Sequence, residues 1–217
     1  MIPKIFHYCW FGGNQLCDLS RKCMKSWESI CPDYEVMHWD ESGIDLTDPF
    51  IAENIEKKQW AFVADYVRLQ KLAEFGGIYL DTDMELVKSP DDLLHLPCFI
   101  GEEKPGRVNS AYLGTEAGNP FIAECLEFMV ERFNSSRPYL IAPEVCSQVI
   151  GNHPEVTVFP PEYFYPYNPY NDRTDNHQLM FSDITENTYA IHHWAKSWSM
   201  PLHQKIFRKI SQLATGS

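Results

Sequence analysis

Apolar residues fall along this chain in two rhythms. Residues 4–10 are rich in β-branched and aromatic side chains and predict a first, central strand, and residues 34–39 alternate and predict a second. Between them Leu16, Leu19, Cys23, Trp27 and Ile30 recur at helical spacing until Cys31-Pro32-Asp33 stops the helix. A helix between two strands predicts a right-handed βαβ crossover and a parallel pair. A polar turn comes next at 40–49 and a short helix at 49–58. Residues 60–75 give the clearest helix, with Ala61, Ala64, Leu69, Leu72 and Ala73 as helix formers and Gly76-Gly77 as its stop. Ile78-Tyr79-Leu80 then predicts a short apolar strand that ends in Asp81-Thr82-Asp83.

The second half continues the alternation more loosely. Residues 85–87 predict a strand or bend, and 97–101, 111–114, 156–159 and 188–192 predict short strands. Asn119-Pro120 opens a helix to about residue 133 with Phe121, Ile122, Cys125, Leu126 and Met129 on its apolar face, and 143–150 predicts another. Residues 163–170, dense in Tyr and Pro, predict an irregular loop whose rings pack onto the body, the favoured reading, or line a cleft. Residues 202–213 predict an amphipathic helix with Lys205, Arg208 and Lys209 opposite Ile206, Ile210 and Leu213. That helix either packs on its own domain or rests on an anionic membrane surface. No repeat, low-complexity tract or linker divides residues 1–217, so the expectation is one α/β domain.

Composition narrows the classes. A chain of 217 residues that is 44% hydrophobic and 22% charged fits one globular domain. The net charge of −12 argues against a general nucleic-acid binder and leaves open an anionic ligand held through a metal. Seven cysteines, an odd count without paired CxxC spacing, argue against a disulfide framework or a structural zinc site and fit reduced thiols in a cytosolic protein. The N-terminal stretch does not have the pattern of a signal peptide, and no apolar run approaches the roughly 18 residues needed to span a bilayer.

The candidate chemistry centres on Asp81 and Asp83. Two apart on an extended strand, they would point to one side and repel, and a divalent cation with oxygen preference would offset that. Three readings compete: a polar strand end that caps the next segment, a phosphatase of the haloacid dehalogenase type, and a nucleotide-sugar transferase. The phosphatase reading expects its motif near the chain start, whereas here it comes after two strands and three helices. In the transferase reading the cation stabilises the charge left on a departing nucleoside diphosphate. One helix earlier, Asp65 and Arg68 stand at i and i+3 and share a face. Alone they read as a surface ion pair, but the surrounding stretch is apolar and predicts burial. Phe11-Gly12-Gly13-Asn14 breaks the first strand and lets backbone approach a nucleotide, though it is neither a GxGxxG nor a Walker sequence.

Five motifs in order carry a resemblance: Ile2-Pro3-Lys4-Ile5-Phe6-His7-Tyr8-Cys9-Trp10-Phe11-Gly12-Gly13, Ser26-Trp27, Pro32-Asp33-Tyr34-Glu35, Ala64-Asp65-Tyr66-Val67-Arg68-Leu69 and Gly76-Gly77-Ile78-Tyr79-Leu80-Asp81-Thr82-Asp83. Together they resemble the DxD sugar transferases of glycosyltransferase family 32, which includes bacterial capsular polysaccharide enzymes and yeast mannosyltransferases and is distantly similar to the glucosylating clostridial toxins. The match covers about the first 90 residues, the Ser197-Trp198 tail matches more loosely, and residues 111–161 show no pattern of the family. The resemblance implies a GT-A fold, a Rossmann-like nucleotide-binding sheet flanked by helices. Residues 1–90 would be the donor half, 91–200 the acceptor side and closing tail, and 201–217 the basic C-terminal helix.

It implies Mn²⁺ or Mg²⁺ and retaining transfer from a nucleotide-sugar, with UDP as the expected carrier, to a glycan or lipid-linked oligosaccharide acceptor. The setting would be cell-surface or capsular polysaccharide synthesis, in the cytoplasm or at the inner face of the membrane. Carried over by residue, Trp10 would stack on the base, Asp65 and Arg68 would contact donor sugar and ribose, and Tyr79 would sit near the phosphates. Asp81 would contact ribose and metal, Asp83 would ligate the metal, and Ser197 and Trp198 would close over the diphosphate. His192 or His193 would complete the metal shell, with His193 preferred as the residue beyond the last strand. A toxin-like effector that glycosylates a protein is the rival within the class, and no delivery signal accompanies this chain. A non-catalytic sugar- or nucleotide-binding module is the rival outside it, and such a module should have lost one of Asp65, Arg68, Asp81 and Asp83.

Overall fold

The computed structural model describes residues 1–170 and 177–195. The predicted βαβ opening is present: β1 (Ile5–Cys9), α1 (Asp18–Ile30) and β2 (Glu35–Trp39), with β1 and β2 parallel and in register from Ile5–Glu35 to Cys9–Trp39. Two helices come next, α2 (Pro49–Glu56) and α3 (Trp60–Phe75), and α3 hands the chain to β3 (Gly77–Leu80), which pairs parallel to the other side of β1. The first strand is therefore internal, as its apolar run requires. A short β4 (Met84–Leu86) leaves the main sheet. Beyond it lie β5 (Cys98–Lys104) and β6 (Arg107–Thr115), the helices α4 (Pro120–Asn134) and α5 (Ala142–Val149), then β7 (Val156–Phe159) and β8 (Ala190–His192). The main sheet runs β2-β1-β3-β6-β5-β7, while β4 and β8 form a separate antiparallel pair. This is the GT-A arrangement that the resemblance implies, a parallel half (β2, β1, β3) joined at β3–β6 to a mixed half.

Strand alternation sends side chains into two cores. Cys9, Tyr79, Ile100 and Leu113 face α2, α3, α4 and α5, whereas Phe6, Ile78, Leu80, Phe99 and Tyr112 face α1, β4 and the chain near 164–165. With both faces covered, β1 and β3 lack a polar face. Phe164 and Tyr165 are almost fully buried, so that part of the Tyr/Pro loop packs on the body as predicted. The β5–β6 hairpin extends beyond the predicted 97–101 and 111–114. Its outer part is polar (Glu102, Glu103, Lys104, Arg107, Asn109), is interrupted by register shifts, and so lacks the apolar alternation that marks a strand. None of the seven cysteines is in a disulfide. No helix among the described residues is long and apolar enough to cross a membrane.

The junction of α3 and β3 is held from beneath by His7. Its Nδ1 accepts from the Trp39 indole N–H at 3.1 Å, so Nε2 carries the proton and donates to the Gly76 carbonyl at 2.8 Å. Gly76 and Gly77 have φ of +65° and +104°, and a Cβ on Gly77 would lie 2.8 Å from the Ile5 carbonyl oxygen and 2.9 Å from the His7 ring. The sharp entry into β3 thus needs glycine, and the buried imidazole ties it to β1.

Burial pushes the His7 imidazole down to about 4, and Lys71 pushes the same way against the bond to Gly76. The unfolded chain therefore binds this proton more readily than the folded one. The stability that His7 contributes is present above about pH 6.5 and is lost as pH falls toward 4. At roughly 1.4 kcal/mol per pH unit across that window, the loss is on the order of 3 kcal/mol. Urea unfolding measured from pH 7 to 4 should track this fall in the wild type and show a flatter course in His7→Gln.

Candidate active site

The centre of α3 is buried on all sides, and it carries an ion pair there. Asp65 and Arg68 are each 5% exposed, and the Arg68 Nη2 lies 2.9 Å from Asp65 Oδ1. The other Asp65 oxygen accepts the Ala142 N–H at 3.0 Å, so it also caps the first turn of α5, where negative charge is favoured. Burial pushes the Asp65 carboxyl up to about 6, against the pull of Arg68 and of the Ala142 N–H. Arg68 reaches further: Nη1 donates to Ser110 O and Oγ at 3.2 and 3.3 Å, and sits 3.3 Å from Asp81 Oδ1. The guanidinium carbon lies 4.2 Å from the centre of the Tyr79 ring. One cation thus joins α3, β3, β6 and the acidic turn.

β3 stops at Leu80, and the acid pair lies in a tight turn rather than on the extended strand the sequence predicts. Met84 N–H donates to Asp81 O at 2.9 Å and closes the turn, while Thr82 points inward to accept from Ser20 Oγ at 3.3 Å. The turn still gathers both acids. Asp81, Asp83 and His192 each present a ligand atom within 4.8 Å of the others. His192 arrives through the β4–β8 pairing, opposite Met84, and its Nε2 is 3.3 Å from Asp83 Oδ1. Burial alone would raise the Asp83 carboxyl, but His192 and the Ala195 N–H, at 2.8 Å, hold it below its ordinary value.

The histidine preference from sequence is corrected here. His193 points away, with Nε2 2.7 Å from Glu85 Oε2, while its backbone N–H donates to Asp83 O at 3.0 Å. The reason is register: the strand runs through His192, and alternation sends the next side chain to the far side.

Two carboxylates and one imidazole fit a hard divalent cation, and the nitrogen favours Mn²⁺ over Mg²⁺. Burial fits as well: Asp83 and His192 are both 7% exposed, and the His192 Nδ1 is buried with no partner among the described residues. Asp81, at the open edge, keeps the site accessible.

The three groups border a cleft of about 410 Å³, whose walls include Trp10, Tyr79, Arg107, Asn109 and Trp194. Trp10, Tyr79, Asp81 and Asp83 all line this cleft. Asp65 and Arg68 lie one layer below the cleft wall and are not on it. Ser197, Trp198 and the 202–213 helix lie outside the described residues.

Sequence reasoning missed the opposite wall. Glu103, Lys104, Arg107 and Asn109 stand on the polar end of the β5–β6 hairpin, and their signal was only a charged run after an apolar strand. It also missed Trp194, which lies 4.1 Å from the His192 ring and donates to Tyr167 O at 2.9 Å. A tail with two tryptophans was the available signal.

The chain is similar to known glycosyltransferases. Residues 18–100 match the glycosyltransferase sugar-binding region containing a DXD motif, and residues 114–214 match the alpha 1,4-glycosyltransferase conserved region. An inositol phosphoceramide mannosyltransferase of Schizosaccharomyces pombe is 32% identical over 64% of this chain and 40% of its own length. A lactosylceramide 4-alpha-galactosyltransferase of Pongo pygmaeus is 30% identical over 62% of this chain and 67% of that sequence. The chain spans less than half the length of several such relatives, 40% of the yeast protein and 43% of the mouse galactosyltransferase. Among solved structures, the PaToxG glycosyltransferase shares the fold, with a TM-score of 0.58, 18% identity, and coverage of 70% of this chain and 69% of that one.

The geometry sets two expected outcomes. In Mn²⁺ titrations by calorimetry, His192→Ala should weaken binding at least about tenfold, while His193→Ala should stay within about twofold. Arg68→Ala strands two carboxylates without their cation and should cost on the order of 3–5 kcal/mol in urea unfolding.

Proposed function

The chain belongs to the glycosyltransferases with a DXD sugar-binding region, and we propose that it is a metal-dependent, retaining enzyme that moves a sugar from a UDP-sugar to a hydroxyl of a lipid-linked saccharide. The observation that carries this reading is the meeting of Asp81, Asp83 and His192 on one cleft with Trp10. The acids would hold a diphosphate through the cation, and Trp10, on the wall of the same cleft, would stack on the base. The lipid-linked acceptor is favoured by the relatives, which are named for ceramide substrates.

In the proposed reaction the bond from the anomeric carbon to the diphosphate oxygen breaks, and its electron pair leaves with the diphosphate. The acceptor oxygen bonds to the same face of the anomeric carbon, and its proton passes to the departing phosphate oxygen. A bound divalent cation would supply positive charge beside that leaving group. Asp83 and His192 would hold the cation, and Asp81 would share it with the ribose. Arg68 and Asp65 act as positioning residues, since Arg68 fixes an Asp81 oxygen from beneath. Tyr79, stacked on Arg68, would border the phosphates. Most of the rate then comes from orientation and fixed charge, with no enzyme nucleophile required.

The test pairs binding with turnover. UDP with Mn²⁺ should raise the melting temperature, with a smaller rise for GDP and none in EDTA. Slow UDP-sugar hydrolysis without acceptor should disappear in Asp83→Ala, whose circular dichroism stays that of the wild type. Undiminished hydrolysis in EDTA would overturn the metal-dependent reading.

A further inference from the structure

Two clefts meet at Glu103. A second cleft of about 300 Å³ shares Glu103, Lys104 and Asn168 with the first and is bounded by Pro166, Tyr167 and Asp183. Glu103 is fixed at the join. Its side chain is 11% exposed, one oxygen lies 2.8 Å from Arg107 Nε, and the other accepts from Asn109 Nδ2 at 2.6 Å. Its backbone carbonyl accepts from Asn168 Nδ2 at 3.2 Å, and Trp194 pins the loop through Tyr167 O. A set carboxylate, an amide and tyrosine rings suit a pyranose, which offers hydroxyls at its edge and C–H groups on its face.

Beside this cleft, two residues before its lining residue Asp183, lies an exposed apolar side chain, Phe181. Asp183 accepts the Met180 N–H at 2.7 Å and so fixes a single helical turn, Phe181–Asp183. That turn presents Phe181 at 91% exposure beside Met180 at 50%. Such a pair next to the cleft-lining Asp183, in a chain of net charge −12, suits an uncharged apolar surface and gives no attraction to anionic lipid.

We propose that the second cleft seats the saccharide headgroup of a membrane lipid, with the Met180–Phe181 turn resting in the lipid surface beside it. This rests on the transferase reading above and names its acceptor site. The headgroup would reach the donor cleft at Glu103, whose carboxylate would accept a hydrogen bond from an acceptor hydroxyl. The apolar tip selects a lipid-borne saccharide over a free one, in keeping with relatives named for ceramide acceptors.

Co-sedimentation tests the proposal with phosphatidylcholine vesicles, plain or doped with lactosylceramide or glucosylceramide. The wild type should pellet with all three, and more with at least one doped set. Phe181→Asp should lower the bound fraction at least about fivefold, the scale expected for withdrawing one aromatic ring from lipid. Tyr167→Ala should lose the gain from doping while it keeps the binding to plain vesicles. In both variants UDP with Mn²⁺ should raise the melting temperature as in the wild type, which shows a folded chain and an intact donor cleft. Equal pelleting of wild type and Phe181→Asp, or no pelleting at all, overturns the membrane contact. No gain from either glycolipid overturns the headgroup site. A wild type that responds to UDP but fails these tests loses this inference alone, and one that gives no UDP response loses the transferase reading.

Discussion

A single buried cation sets the geometry of the cleft. Arg68 comes from the middle of a helix packed on all sides, and its charge must be answered where water does not reach. Asp65 answers it from one turn away, the Ser110 carbonyl and hydroxyl from β6, and Asp81 from the acidic turn. Each partner belongs to a different segment, so the cation holds them at fixed separations. Asp81 is the partner with access to the cleft, and its position is therefore determined by the interior. That a charged group is retained here, where an apolar side chain would be cheaper to bury, fits a role in orienting Asp81 more than a role in stability.

The first 90 residues were legible because their strands and helices alternate cleanly. Residues 60–75 match α3 in full, and 34–39 match β2 within one residue. The acid pair was legible as chemistry but not as shape. Two acids spaced for one side of a strand instead occupy a turn, because the chain leaves the sheet at Leu80 and the Asp81 carbonyl takes the Met84 N–H. Asp65 and Arg68 share a face as their spacing requires, yet spacing could not show that the face looks into the core beneath the cleft.

The far wall was hidden for a different reason. Glu103, Arg107 and Asn109 gain their positions from one another, through an ion pair and a hydrogen bond from the Asn109 amide across a bulged hairpin. No periodicity marks such a cluster, and it exists only once β5 and β6 have paired. His192 was obscured by a local ambiguity. Two adjacent histidines face opposite ways, and which one turns inward depends on where a three-residue strand ends.

The pairing of β4 with β8 also has a thermodynamic consequence. The two acids and the imidazole are more than a hundred residues apart in sequence, and the ladder that joins them spans only three pairs. So short a ladder, extended at its ends by the Val87–Tyr189 and His193–Asp83 backbone bonds, should open more readily than the six-stranded sheet. A cation held across it would bind the clasped form alone, so occupancy and clasping are linked functions. Whatever stabilises the clasped form, such as the His193–Glu85 contact on its outer side, would raise apparent affinity for the ion in proportion to the clasped fraction. The outward histidine would then adjust the site modestly without touching it.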